Sequence, residues 1–300
     1  MSLKIEDGVI IADKPAKISS ASFLGRIKKF LKVKKAGHAG TLDPFATGIL
    51  ICCFGKATKL CHFLISGKKK YEAEICLGVK TDTYDITGKI IEKNKPQNIS
   101  EAEIKKVIDK FTGYIEQIPP AYSALKHNGT PLYKLARAGK FIVKAKRKIY
   151  IEYIKITDIN IPYIKIEVSC SSGTYIRTLA SDIGDALGFG GCLSQLRRTY
   201  CSGFDISEAV TCKQLEKDDI KKHIITPNEA LKNIPQFKAD LKLCEKISYG
   251  KKIIAEDIQL SDNTDTSDQN ILKIVNPQNR LIAILGFTDK KDYKYYYVFN

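Results

Sequence analysis

The stretch Lys35-Ala36-Gly37-His38-Ala39-Gly40-Thr41-Leu42-Asp43-Pro44-Phe45-Ala46-Thr47-Gly48 runs directly into Ile49-Leu50-Ile51-Cys52-Cys53-Phe54. Residues 37–48 hold Gly, Pro and Thr at a density that no regular element tolerates, so they read as a loop. The run 49–54 is continuously apolar and reads as a buried strand. Glycine permits backbone paths closed to other residues, and Pro44 pushes Asp43 into an extended conformation. A carboxylate is thus presented on a stiffened loop ahead of a buried strand, a position where catalytic groups tend to sit. An Asp-Pro turn in which Asp43 bonds its own backbone explains the same residues equally well. Pattern alone leaves the two readings open.

Working outward, residues 8–12 read as a strand that ends at Asp13-Lys14-Pro15. Ser19-Ser20 read as the N-cap of a helix over 21–32, with Phe23, Ile27 and Phe30-Leu31 on one face. Residues 71–77 alternate and predict a half-buried strand; 101–111 predict a helix. Pro119-Pro120 open an irregular segment that runs to about residue 148, with a short helical pattern at 132–138. Residues 149–156 and 163–170 read as paired strands. Residues 175–187 read as a helix with Gly184 inside it and Gly188 at its end, and 193–201 as a strand. Residues 213–231 are polar and helical. From Pro235 the chain turns to short strand-like runs, broken by an acidic stretch at 261–270. Helices alternating with antiparallel pairs predict a mixed α/β (α+β) class with a largely antiparallel sheet, not a doubly wound fold. The expected division is a body over 1–232 and a small β domain over 233–300.

The chain has 300 residues, with 49 Lys plus Arg against 33 Asp plus Glu, a net charge of +16. Such a field concentrates polyanions, which makes nucleic acid the leading partner class and an anionic membrane surface the second. A Lys- and Ile-rich composition from an AT-rich genome would raise the charge without a functional cause. Trp is absent, so base stacking falls to Tyr, Phe, His or Arg. The longest apolar runs, 49–54 and 281–287, are far short of the roughly 20 residues of a spanning helix. The first fifteen residues show no apolar export segment, so the expected location is the cytoplasm. Nine cysteines without a C-x-x-C pair then read as reduced, mostly buried thiols. The four histidines are scattered, and neither a metal nor a cofactor is expected. Gly55-Lys56 is no phosphate loop, because Leu50 stands where its first glycine belongs and Ala57 where Ser or Thr is needed.

Several segments together resemble the TruB family of tRNA pseudouridine synthases. These are Gly37–Leu50; Asp13-Lys14-Pro15 with Ser19-Ser20, where Lys17 replaces the usual glycine; and Lys70-Tyr71 with Gly78 and Thr81-Asp82-Thr83-Tyr84-Asp85. The run Gln117-Ile118-Pro119-Pro120-Ala121-Tyr122-Ser123-Ala124-Leu125-Lys126 continues into Leu132-Tyr133-Lys134-Leu135-Ala136-Arg137. Cys170-Ser171-Ser172-Gly173-Thr174-Tyr175-Ile176-Arg177 and Leu196-Arg197-Arg198-Thr199 complete the pattern. The resemblance spans about residues 10–210, in order, and is poorer in the tail, where the family has a PUA-like RNA-binding domain. It implies a pseudouridine synthase catalytic fold that isomerises uridine 55 in the T-loop of tRNA, using an aspartate nucleophile on a flipped-out base. That chemistry needs no redox equivalent, and one carboxylate suffices as nucleophile or charged stabiliser.

The resemblance also implies the roles of single residues. Asp43 is the catalytic carboxylate, paired with Arg177, and Tyr71 stacks on the flipped uracil. His38 fills the gap that the flipped nucleotide leaves. Tyr175 and Leu196 line the uracil pocket, Lys14 and Pro15 buttress the loop, and Asp85 touches RNA or orders the loop. The segment 123–148 is the family's insertion that folds over the RNA stem-loop. The basic runs Lys28-Lys29, Lys32, Lys34-Lys35, Lys68-Lys69-Lys70 and Lys144-Ala145-Lys146-Arg147-Lys148 are expected phosphate contacts. A monomer without an obligatory protein partner or membrane is implied. A guide-RNA-dependent pseudouridylase and a non-catalytic RNA-binding or tRNA-folding protein are the alternatives. The insertion after Tyr122 and the short tail speak against the first. The intact Asp43, Tyr71 and Arg177 speak against the second.

Overall fold

A computed structural model of the chain describes residues 7–217, 220–258, 270–287 and 292–299. Its strands are β1 (Gly8–Lys14), β2 (Ala36–Ala39), β3 (Thr47–Phe54), β4 (Lys69–Leu77), β5 (Val79–Thr81), β6 (Ile90–Lys93) and β7 (Gly113–Gln117). They continue as β8 (Lys126–His127), β9 (Thr130–Pro131), β10 (Arg147–Asn160), β11 (Tyr163–Cys170), β12 (Gly191–Cys201) and β13 (Phe204–Asp205). The main helices of this part are α1 (Ser20–Leu31), α2 (Cys61–Ser66), α3 (Glu101–Ile108), α4 (Leu132–Arg137) and α5 (Ile176–Ala186). The central sheet runs β1-β3-β12-β4-β11-β10-β7, with β2 added to β3 and β13 to β12. Its pairs are antiparallel except β3 with β12. The expected mixed α/β class and largely antiparallel sheet are what the chain adopts.

Burial explains the patterns. β1 over residues 8–12 and β3 over residues 48–54 are continuously apolar because both faces are covered. Phe23, Ile27 and Leu31 of α1 pack on Ile10, Leu50 and Cys52, while Val9, Ile11, Ile49 and Ile51 pack into a second cluster. β4 alternates, and its residues Tyr71, Ala73 and Ile75 join Ile104 and Ile108 of α3 and Leu179 and Ile183 of α5. Each such aliphatic side chain contributes about 1.5–3 kcal/mol on burial. α5 packs so closely that a Cβ on Gly184 would lie 2.4 Å from the Gly191 nitrogen, which explains a glycine inside a helix.

Four local readings need correction. Residues 37–39 and 47–48 belong to strands, not to the loop, since β2 pairs with β3 from Ala36↔Phe54 to Ala39↔Ile51 and β3 begins at Thr47. Small residues make this possible, because a Cβ on Gly37 would sit 3.2 Å from the Cys61 sulfur. Phe30 is 41% exposed, not on the buried face. Ser19 alone caps α1, accepting the Ser22 N–H at 3.1 Å; Ser20 is used elsewhere. The stretch 213–231 is not one helix: it splits into α6 (Cys212–Lys217), a 3-10 turn and α7 (Pro227–Ala230), the last started by a Thr226–Glu229 capping box.

Beyond this body, β14 (Gln236–Lys238), β15 (Ile271–Val275), β16 (Leu281–Phe287) and β17 (Tyr293–Val298) form a separate four-stranded sheet in that order. It is not purely β, because α8 (Leu241–Ser248) packs Leu243 and Ile247 against Leu272, Ile274 and Leu285. The Asp240 side chain caps α8 by accepting the Leu243 N–H at 2.7 Å. The acidic stretch lies, up to residue 269, outside the described residues. Lys273 ties the small sheet to the body, donating to the carbonyls of Asn228 at 3.1 Å and Leu231 at 3.0 Å.

Candidate active site

The Asp43 loop leaves the sheet where β3 changes partner. β2 covers β3 from Ile51 to Phe54, and β12 pairs only with Thr47 and Gly48. Gly48 has φ 101°, and a Cβ there would lie 2.2 Å from the Arg198 carbonyl oxygen. The two strands meet at that spacing only because residue 48 is glycine. Ser20 clamps the loop from α1, its hydroxyl donating to the Leu42 carbonyl at 2.9 Å and accepting the Leu42 N–H at 2.8 Å. Lys14 is fully buried, and its ammonium donates to the carbonyls of Pro15 (2.8 Å), Ile18 (2.9 Å) and Pro44 (3.4 Å).

Arg177, at the start of α5, gathers four separate motifs. Its Nε donates to Asp43 Oδ2 at 2.8 Å and its Nη2 to Asp43 Oδ1 at 3.0 Å, a two-point grip on the carboxylate. Nη1 donates to the Thr83 carbonyl and Nη2 to the Tyr122 carbonyl, each at 2.8 Å. Nη1 also stands 3.6 Å from Asp85 Oδ2. Asp85, expected to touch RNA or to order the loop, is buried beside Arg177. It is 4% exposed, and its Oδ1 accepts the Thr87 N–H at 3.0 Å.

A cavity of about 330 Å³ opens at this loop. Asp43, Tyr71, Tyr175, Arg177 and Leu196 all line it, as do Lys69 and Arg198. The Gln117 side chain holds Tyr175 in place: its oxygen accepts the Tyr175 N–H at 3.0 Å, and its nitrogen donates to the Tyr175 carbonyl at 3.2 Å. His38 lies on β2, outside the cavity wall, with Nδ1 buried and lacking a partner among the described residues. Lys14 and Pro15 are not in the wall either; of the two, Lys14 reaches the loop, at the Pro44 carbonyl.

Strand alternation divides the basic run at 144–148. Arg147 sits opposite the buried Gln117 and acts electrostatically on Tyr175, so it belongs to the cavity side. Lys148 points to the other face, its ammonium 4.4 Å from the Tyr114 ring centre, and Lys146 stands 3.6 Å from Glu116. Sequence reasoning named Arg198, Gln117 and Ser20 inside motifs or caps without giving them these tasks. The signal for Arg198 was its place two residues after Leu196 on one strand.

Burial raises the Asp43 carboxyl above its ordinary range; Arg177 opposes that and Asp85 reinforces it. The Arg177 guanidinium favours the charged form of a carboxylate that is 32% exposed, open to the cavity and suited to attack or to stabilise a cation. Burial pushes the Tyr71 hydroxyl well up and Arg198 opposes that shift, so it stays a neutral phenol beside a guanidinium that donates to it. Burial, then Arg198, lowers the His38 imidazole, which keeps it neutral at pH 7.

Residues 28–176 match the family described as TruB family pseudouridylate synthase (N terminal domain). Residues 177–232 match the tRNA pseudouridylate synthase B C-terminal domain. The chain belongs to the TruB family. The tRNA pseudouridine synthase B of Clostridium acetobutylicum is 39% identical over 287 residues, spanning 95% of this chain and 96% of that one. That of Clostridium tetani is 38% identical, spanning 96% and 98%. The crystal structure of a Cbf5-Nop10-Gar1 complex contains a chain similar at TM-score 0.76 and 25% identity, covering 99% of this chain and 86% of that one. The archaeal box H/ACA sRNP Nop10-Cbf5 complex shares the fold at TM-score 0.74 and 23% identity, covering 99% and 88%. In this TruB family member the two matched regions meet between Ile176 and Arg177, so the family's two parts build one cavity.

Proposed function

We propose that this chain isomerises uridine to pseudouridine at position 55 in the T-loop of tRNA, with Asp43 as the attacking carboxylate. Family membership supplies the reaction class, a tRNA pseudouridine synthase. The observation that carries the assignment of the site is the Asp43 carboxylate, held at both oxygens by Arg177 in a cavity walled by Tyr71, Tyr175 and Leu196. The C1′–N1 bond breaks, the detached uracil turns, and C5 bonds to C1′. The proton lost from C5 balances the one gained at N1, so no redox partner or cofactor is called for. The uracil must be flipped out of the RNA to reach a site of this depth, and Tyr71 provides a face to stack on, worth about 1–3 kcal/mol.

In this reading His38 takes the space of the flipped nucleotide, Arg147 and the lysines near the cavity bind phosphates, and the segment 123–148 closes over the stem-loop. The part from residue 233 onward serves as a separate RNA-binding module. The chain works as a monomer in the cytoplasm, without a protein partner. A second reading, a guide-RNA-dependent pseudouridylase, draws on the similarity to the Cbf5 chain. The higher identity to the tRNA pseudouridine synthase B relatives favours the first. Purified chain and unmodified tRNA transcript, with no guide RNA, decide the matter. Mass spectrometry should find pseudouridine at position 55, and its absence there contradicts the reading.

A further inference from the structure

Arg198 does not touch Asp43, yet it binds the loop that carries it. It is the largest fully buried side chain among the described residues, 1% exposed. Its Nε donates to the Ile49 carbonyl at 2.8 Å and its Nη2 to the Gly40 carbonyl at 2.9 Å. Those carbonyls stand at the two ends of the segment 40–49, with Asp43 between them. Its backbone sits opposite Gly48 of β3 on one side and Tyr71 of β4 on the other. The side chain lines the cavity, and its guanidinium acts on the Tyr71 hydroxyl.

The surroundings make this arginine expensive to bury. Lys14, His38 and Lys69 all feel its charge, and each is pushed toward its neutral form by it. A residue that merely filled the space would do better as an aliphatic side chain, since an unshared buried charge costs several kcal/mol. What an aliphatic chain lacks is a planar fork able to reach two carbonyls of one loop while fixed on the strand beside Tyr71.

We infer that Arg198 is a positioning residue that sets the distance between the Asp43 carboxylate and the Tyr71 ring. Arg177 orients the carboxylate; Arg198 places the loop relative to the stacking face. The inference rests on the proposed reading of the cavity. An ammonium reaches only one of the two carbonyls, so Arg198→Lys keeps the charge and frees one end of the loop.

The experiment compares Arg198→Lys and Arg198→Gln with the unaltered enzyme. It measures single-turnover tritium release from tRNA labelled at uridine C5, filter binding of the same tRNA, and thermal melting. Both variants should bind tRNA within about twofold of the parent and lose about 10²-fold in rate at saturation, the cost of misplacing reacting groups by about an ångström. A rate within about threefold of the parent overturns the inference, and so does a parallel loss of rate and affinity. Variants that melt below the assay temperature also overturn it, since Arg198 is then needed for the fold. An active Asp43→Asn enzyme would instead overturn the reading of the cavity, whatever the Arg198 variants do.

Discussion

Arg177→Lys is the substitution whose cost can be worked out most fully. The guanidinium makes two charge-assisted bonds to Asp43, at 2.8 and 3.0 Å, and two bonds to backbone carbonyls at 2.8 Å. An ammonium on a lysine stem meets one carboxylate oxygen and at most one of those carbonyls. Two bonds to a charged group are therefore lost, at about 1.5–3 kcal/mol each. The sum is about 3–6 kcal/mol, and at about 1.4 kcal/mol per factor of ten it corresponds to about 10²–10⁴ in rate if all of it is felt in the transition state. Part of it will appear as lost stability, so tritium release at saturating tRNA and urea denaturation should be measured on the same variant. The pair also makes a double-mutant cycle. In an Asp43→Asn background, Arg177→Lys should cost at least about 1 kcal/mol less stability than in the parent, because its partner is already altered. A rate above about a third of the parent's, or stability effects additive within about 0.5 kcal/mol, would refute the idea that this guanidinium holds the carboxylate.

Three further outcomes are expected. Burial lowers the Lys14 ammonium from 10.5 to about 8, so the native state releases that proton before the unfolded chain does. Between those values a rising pH adds stability from this group, while the neutral amine has two N–H donors for three carbonyls. The rate should therefore fall above about pH 8 with no matching fall in melting temperature, and Arg at position 14 should flatten that limb, because a guanidinium stays charged. Tyr71→Leu should weaken binding of the flipped base by about 1–3 kcal/mol, whereas Tyr71→Phe keeps the ring and its binding. Full activity in both variants would remove Tyr71 from the pocket. Arg147→Ala should reduce the salt dependence of tRNA binding by about one phosphate contact, 0.7–0.9 in log–log slope, and Lys148→Ala, on the other face of the strand, should leave it unchanged.

Local pattern revealed what local physics controls. The apolar run of β3 and the alternation of β4 follow directly from burial on two faces or one. The stiff loop at Asp43 was legible from Gly40, Pro44 and Gly48. Its partners lie too far away in the chain for local pattern to show: Arg177, across 134 residues, came from the family resemblance alone, while Ser20, across 22, and Arg198, across 149, were not assigned to the loop. Ser20 looked like a cap because a serine hydroxyl before a helix does that work in most chains. β2 was hidden by its small residues, which read as loop and are in fact what lets α2 approach. α8 was missed in a tail that reads as strands, although Asp240, Leu243 and Ile247 carry an N-cap and a helical spacing. Lys17, the departure from the family's glycine, adopts φ 64°, which shows why glycine suits that position. Asp85 appeared in a motif whose spacing says nothing of depth, and the fold puts it beneath Arg177 rather than at the surface.

The central claim is that Asp43 is chemically required and not simply a turn residue. Asn at position 43 keeps the shape and can still bond a turn backbone, so a structural role would survive the change. The decisive measurement is single-turnover tritium release from C5-labelled tRNA by Asp43→Asn, with binding and melting as controls. The expected result is tRNA affinity and folding close to the parent's and a rate lower by several powers of ten, each about 1.4 kcal/mol of barrier. A rate above about a tenth of the parent's, less than about 1.4 kcal/mol of barrier, would contradict the mechanism.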